Sequence, residues 1–274
     1  MSTILHASPV FGPVHSRRLG VSLGINLLPG DGKMCSFDCI YCECGYNADR
    51  PAHSRMPSRE RVAEALEERL RQMAAANVVP DVLTFAGNGE PTIHPHFAEI
   101  VDDTLMLRDK YCPQAKVSLL SNATMAARPN VRAAMLRIDN NILKLDTVSQ
   151  SYIRLVNRPV SLLKGAANGK GEGTQRGGYN VGEVIETLHS FEGKVIIQTM
   201  FLKGWYNGIN VDNTGDEYVG PWIEAIGYIN PHAVMVYTID RETPDHELRK
   251  APKAVLDSIC ARVKKLGIEC TAAY

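Results

Sequence analysis

The chain has no excess of charge of either sign. Its 274 residues carry 30 Lys and Arg against 30 Asp and Glu. No global field gathers nucleic acid, so charge does not favour RNA as a partner. A long apolar run is also missing. The longest uncharged stretch towards the C-terminal half, 225–239, is broken by Asn230, Pro231 and His232 and makes a poor membrane span. No basic segment followed by an apolar run stands at the N-terminus, which argues against a secretory signal and makes the cytoplasm the expected location. Internal repeats and a second core are absent, so one domain over 1–274 is expected.

Hydrophobic residues make up 45% and charged residues 22%, as in an ordinary globular protein. A chain of this length buries roughly three quarters of its unfolded surface and needs no disulfides to fold. The seven cysteines are unevenly placed. Cys35, Cys39, Cys42 and Cys44 fall within ten residues, whereas Cys112, Cys260 and Cys270 are scattered and read as buried small apolar residues. In a cytosolic chain such a cluster points to metal or redox chemistry rather than disulfides.

Strands are expected at 25–28, 82–86, 116–120, 142–145, 194–201 and 233–239. Helices are expected from Ser58, around 97–105, at 131–136, from Asn180 as cap, at 217–228, and from Pro252 to a stop at Gly267. Strict alternation of strand and helix implies parallel strands joined by right-handed crossovers. An open doubly wound sheet and a barrel both satisfy it, and both bind ligands at the C-terminal strand ends. One segment breaks the rhythm. More than thirty residues separate Asp146 from Asn180, and they include a Gly-rich insertion at 163–178 that reads as a lid carrying Lys164, Lys170 and Arg176.

The spacing Cys35-x3-Cys39-x2-Cys42, directly after the first strand, lets three thiolates converge from one curl of backbone. A four-iron cluster normally takes four thiolates, so three leave one iron open for a ligand. With Cys44 a closed structural zinc site is the alternative. Tyr41 immediately precedes the third cysteine. The second strand ends in Gly87-Asn88-Gly89-Glu90, where glycines permit close backbone approach and a carboxylate suits an ammonium group. The third strand ends in Ser121-Asn122, and the fourth in Lys144-Leu145-Asp146. Strand alternation points Lys144 and Asp146 the same way, as it does Gln198 and Met200 on the fifth strand.

These motifs together resemble the radical S-adenosylmethionine (SAM) superfamily. The resemblance implies a partial (β/α)6 TIM-like barrel. It assigns Cys35, Cys39 and Cys42 to a single [4Fe–4S] cluster whose open iron is chelated by SAM. It places Tyr41 near the adenine and Gly87, Asn88, Gly89 and Glu90 at the SAM amino group. Ser121 is a candidate for a ribose hydroxyl, Asn122 for the carboxylate or ribose, Lys144 for the carboxylate and Asp146 for the ribose. It also implies reductive cleavage of SAM to a 5′-deoxyadenosyl radical that abstracts hydrogen from a substrate. An external low-potential electron donor of flavodoxin or ferredoxin type would be needed. The substrate is unidentified, and the lid's basic residues suit an anion. A wider match, from His15–Asn26 to Tyr237–Pro244, resembles compact Fe–S oxidoreductase-like proteins related to the wyosine-forming tRNA enzymes. Those enzymes carry additional cysteines before the cluster loop, and this chain has none before Cys35. Nucleic-acid modification by the same chemistry, or a non-enzymatic zinc or electron-carrier module, are the alternative readings.

Overall fold

The computed structural model describes residues 4–16, 20–160 and 178–274. The insertion expected to form a lid lies outside the described residues, apart from Gly178.

The chain opens with an antiparallel pair, β1 (Val10–Ser16) and β2 (Gly20–Ile25). From β2 onward the strands of the main sheet are parallel and adjacent in chain order. They are β3 (Val82–Phe85), β4 (Lys116–Ser121), β5 (Asn140–Lys144), β6 (Ile196–Met200), β9 (Ala233–Tyr237) and β11 (Glu269–Ala273). A doubly wound sheet would reverse its strand order at a switch point. This sheet never reverses, which selects the barrel-like alternative. No ladder joins β11 to β1 among the described residues, so the curl stays open as a partial barrel.

The crossovers carry α1 (Arg59–Ala75), α2 (Phe97–Tyr111), α3 (Pro129–Met135), α4 (Gln150–Tyr152), α5 (Val181–His189), α6 (Asp216–Ile229) and α7 (Lys253–Lys264). α1 packs on α2, α2 on α3, α5 on α6 and α6 on α7, as helices covering one face of a sheet must. The caps are as the sequence implies. Ser58 Oγ accepts from Arg61 N at 3.3 Å, and Asn180 Oδ1 accepts from Gly182 N at 2.9 Å. One side of the strands, with Leu23, Leu83, Phe85, Val117, Leu119 and Leu143, joins Leu66, Leu70, Phe97 and Ile100 of the helices in one core. Alternation turns the other side inward, where Ser22 and Thr84 hydroxyls meet at 2.9 Å.

Four expectations need correcting. The first strand ends at Ile25 instead of spanning 25–28, because the Asn26 side chain accepts from Leu28 N and turns the backbone. A seventh parallel strand, β11, extends the sheet beyond six units. The expected strand at 194–201 stops at Met200, and the chain continues into a small antiparallel sheet of β7 (Leu202–Tyr206), β8 (Ile209–Asn210) and β10 (Leu248–Lys250). Finally, the stretch after Asp146 is not loop throughout, since α4 runs into a π-helical turn, Ile153–Asn157. No helix among the described residues is long and apolar enough to cross a membrane.

Candidate functional site

The cysteine loop leaves the end of β2 and is held from two sides. On one side it bridges the turn after β3. Met34 N donates to Asn88 O at 2.9 Å, and Glu90 N donates to Met34 O at 3.2 Å. Gly87 and Gly89 sit at φ +143° and +141°, and a Cβ on Gly89 would collide with the Met34 carbonyl oxygen. The close approach that demands glycine is therefore that of the cysteine loop itself. On the other side the loop pairs with the chain following the π turn. Asp38 N donates to Asn157 O at 3.0 Å, Ile40 N to Val156 O at 3.0 Å, and Val160 N to Ser36 O at 2.9 Å.

Lys33 fills the inside of the curl and is 3% exposed. Its ammonium donates to Gly45 O at 2.6 Å and lies 3.6 Å from Asp38 Oδ1. Burial alone would lower its pKa. Cys42, Cys35, Cys39 and Asp38 outweigh that and hold it charged, well above the ordinary lysine value.

The thiols meet donors. Phe37 N lies 3.4 Å from Cys35 Sγ, Asn122 Nδ2 lies 3.6 Å from the same sulfur, and Asn157 Nδ2 lies 3.6 Å from Cys39 Sγ. Burial pushes the Cys35 thiol up and the Cys39 thiol to about 11. Cys42 falls to about 6, chiefly through a hydrogen bond with Cys44 and further through Lys33. Cys44 stays a thiol whose single S–H serves Cys42, and its Sγ lies 3.6 Å from Gly87 O. Among the described residues no three His, Cys, Asp or Glu side chains converge tightly enough for a single metal ion. Three cysteines, two of them facing N–H donors and with a buried ammonium beside them, fit an anionic iron–sulfur cluster better than one zinc ion.

Glu90 is 1% exposed. Oε1 accepts from Thr92 N at 3.0 Å, from Thr92 Oγ1 at 2.5 Å and from Ser121 Oγ at 2.8 Å, and Oε2 accepts from Asn122 N at 2.7 Å. All four donors are neutral, and Glu90 makes no ion pair among the described residues. Burial raises its pKa, against the pull of the hydrogen bonds from Thr92, Asn122 and Ser121. Asn122 joins Glu90 to the cysteines, its backbone N–H on the carboxylate and its carboxamide on Cys35.

The end of β5 is arranged differently. Asp146 accepts from Tyr41 OH, from Asn157 Nδ2 at 2.7 Å and from Met200 N at 2.9 Å. Lys144 Nζ stands 3.6 Å from Asp146 Oδ1 and donates to Tyr41 OH at 3.1 Å and Tyr237 OH at 3.0 Å. Burial would lower the Lys144 pKa, but Asp146, Tyr237 and Cys39 together outweigh it and keep the ammonium protonated. Burial, then Asp146, pushes Tyr41 well up, so its phenol stays neutral.

Cys35, Cys39, Cys42, Tyr41, Glu90, Ser121, Asn122, Lys144 and Asp146 thus gather where the strands end. Asn88 does not join them. Its carboxamide donates to His6 O at 2.9 Å and Pro29 O at 2.8 Å, and its Oδ1 accepts from His6 N at 2.8 Å, so only its backbone reaches the loop. Met200 packs in the apolar cluster around Cys39 and Tyr41. Asn157 is the residue the motifs do not reveal. It is polar at the end of an apolar run, and its only sequence signal is Pro159 two residues on, which marks where the turn must stop.

Residues 31–162 match the model of the Radical SAM superfamily. A UPF0026 protein of Methanocaldococcus jannaschii is 37% identical over 150 residues, 54% of this chain and 44% of that protein. A UPF0026 protein of Helicobacter pylori is 27% identical over 254 residues, 91% of this chain and 71% of that protein. Among solved structures, Streptococcus suis SuiB bound to S-adenosylmethionine superposes with a TM-score of 0.61 at 13% identity, over 91% of this chain and 50% of SuiB. At that identity the likeness concerns the fold. The chain spans less than half of the archaeal relative and half of SuiB.

Proposed function

We propose that this chain, whose residues 31–162 match the model of the Radical SAM superfamily, is a radical SAM enzyme holding one [4Fe–4S] cluster on Cys35, Cys39 and Cys42. When bound, the cluster and SAM supply one-electron cleavage of a sulfonium and hydrogen abstraction from a substrate. The protein supplies position and exclusion of water.

The observation that carries this reading is the Glu90 carboxylate. It is buried, surrounded by neutral donors and left without a cation. A buried carboxylate without a counter-charge is costly. The ammonium of an amino-acid ligand supplies that charge, and Asn122 sets Glu90 beside Cys35. Ser121 and Asn122 hold Glu90 in place. Tyr41 is fixed by Asp146, Asn157 and Lys144, so its ring presents a constant face to an adenine. Lys144, kept protonated, suits a carboxylate. The single-ion zinc module lacks a converged ligand set among the described residues.

The substrate and reductant belong to the same proposal: an external flavodoxin- or ferredoxin-type donor, a cytoplasmic compartment that keeps the thiols reduced, and a substrate of small-molecule, peptide or protein class. The balanced charge of the chain leaves RNA as the weaker choice.

The test is iron and sulfide content per chain after anaerobic reconstitution. Cys39→Ala is expected to lose the four-iron cluster and Cys44→Ala to keep it. Full retention in Cys39→Ala, or total loss in Cys44→Ala, overturns the assignment.

A further inference from the structure

We propose that Asn157 is a positioning residue that donates an N–H to the Cys39 sulfur and thereby raises the reduction potential of the cluster carried there. The inference rests on the cluster reading above and adds a residue that the cysteine, Gly-Asn-Gly-Glu and strand-end motifs do not contain.

Asn157 is 2% exposed and closes the π-helical turn Ile153–Asn157. Arg158 N donates back to Ile153 O at 2.9 Å, and Arg158 itself takes a left-handed conformation at φ 50°. Only a few per cent of residues other than glycine adopt that conformation. π turns insert one residue into a helical turn and recur at functional sites. Here the turn and the left-handed residue after it aim the carboxamide inward while the backbone still pairs with the cysteine loop at Asp38 and Ile40.

The Nδ2 of Asn157 faces three acceptors: Asp146 Oδ2 at 2.7 Å, Tyr41 OH at 2.9 Å and Cys39 Sγ at 3.6 Å. It has two hydrogens to give. One goes to the Asp146 carboxylate, the shortest contact. Tyr41 oxygen is already served by Lys144 Nζ at 3.1 Å. The second hydrogen therefore falls to the sulfur once the sulfur is an anionic ligand, since charged acceptors win over neutral ones. Hydrogen bonds to cluster sulfurs, together with net charge and solvent exposure, set the potential of an iron–sulfur centre. A donor stabilises the extra electron of the reduced form, so its effect is upward. The site is dry enough for that effect to be felt, because Cys39 is 7% exposed and packs with Ile40, Tyr152, Val156 and Met200.

The experiment is a redox titration of the full-length chain with its cluster reconstituted, followed by electron paramagnetic resonance of the reduced state. Asn157→Leu keeps the volume and removes the donor. Its potential is expected to fall below that of the wild type at equal iron and sulfide per chain. Asn157→Gln restores a carboxamide and is expected to return part of the shift. A potential unchanged in Asn157→Leu overturns the inference, as does a rise. If Asn157→Leu takes up no cluster, Asn157→Ser is titrated in its place and read by the same criterion. A folded chain that loads no cluster in either variant makes Asn157 a structural residue and also overturns it. Failure of the wild type to assemble a cluster would instead refute the cluster reading itself.

Discussion

Two buried carboxylates stand just past the ends of β3 and β5, with β4 between them, and they are treated in opposite ways. Asp146 has its counter-ion, Lys144 at 3.6 Å, inside a set of tyrosine hydroxyls and the Asn157 amide. Glu90 accepts four hydrogen bonds against the three of Asp146 and has no counter-ion among the described residues. The Asp146 group is electrostatically complete within the protein, so it is a device for holding Tyr41 and the cysteine loop. The Glu90 group is geometrically complete and electrically open, which is the imbalance that the ammonium of the proposed ligand would close. A site that binds a cation can afford that imbalance only if the ligand corrects it.

The sharpest way to break the contrast is to remove the cation from the complete group. Lys144→Met leaves Asp146 buried and unpaired, and loss of one partner of a buried pair costs about 3–5 kcal/mol. The lower figure is expected here, because Asp146 keeps the donors Met200 N and Asn157 Nδ2. Urea unfolding of the cluster-free chain reads it, and a loss under 1 kcal/mol would mean that the pair is not a structural unit.

Next comes the link between the turn and the cysteines. Gly89→Ala drives a methyl group into Met34 O. Overpacking of this kind costs about 1–3 kcal/mol, and the strain falls on the cysteine loop. Iron incorporation is expected to drop well before global stability does. Normal iron content with a normal melting curve would show that the loop adjusts freely.

The smallest effect on stability and the most selective on binding belongs to the open group. Glu90→Gln removes a charge that the protein does not pair, so the ligand-free chain is expected to stay within about 1 kcal/mol of the wild type. SAM affinity, measured by calorimetry on the cluster-loaded chain, is expected to weaken by about 1.5–3 kcal/mol, the worth of a hydrogen bond to a charged group. Unchanged affinity would place the ammonium elsewhere. A large loss of stability without ligand would make Glu90 a structural carboxylate like Asp146.

The parts of this contrast were unequally readable in the sequence. Glu90 and the cysteines announce themselves because glycines and thiols at fixed spacing have few other uses. Helix starts at Ser58 and Asn180 were readable because a cap is a local event, made by one side chain on its own next turn. What escaped was whatever depends on distant partners. Glu269–Ala273, with two alanines and a cysteine, has little strand propensity, and it becomes β11 only by lying against Ala233–Tyr237. β1 contains Pro13, which argues against a strand until the edge position is known. The carboxamide of Asn157 is aimed by a π turn that no periodicity encodes. At Gly89 close approach is what demands glycine, and the approaching group in the fold is the Met34 carbonyl oxygen.

The pairing of the cysteine loop with the chain after the π turn also sets a schedule. Cys39 and Asn157 are 118 residues apart in sequence. During synthesis at ~5–20 residues per second, the first partner waits about 6–24 s for the second to be made. Throughout that interval the loop has its thiols but not the backbone partners at Val156, Asn157 and Val160 that fix its shape. A nascent chain therefore exposes its thiols on the ribosome well before the loop can take its final shape. If the loop takes up the proposed cluster, loading follows assembly, and the thiols need a reducing environment until then.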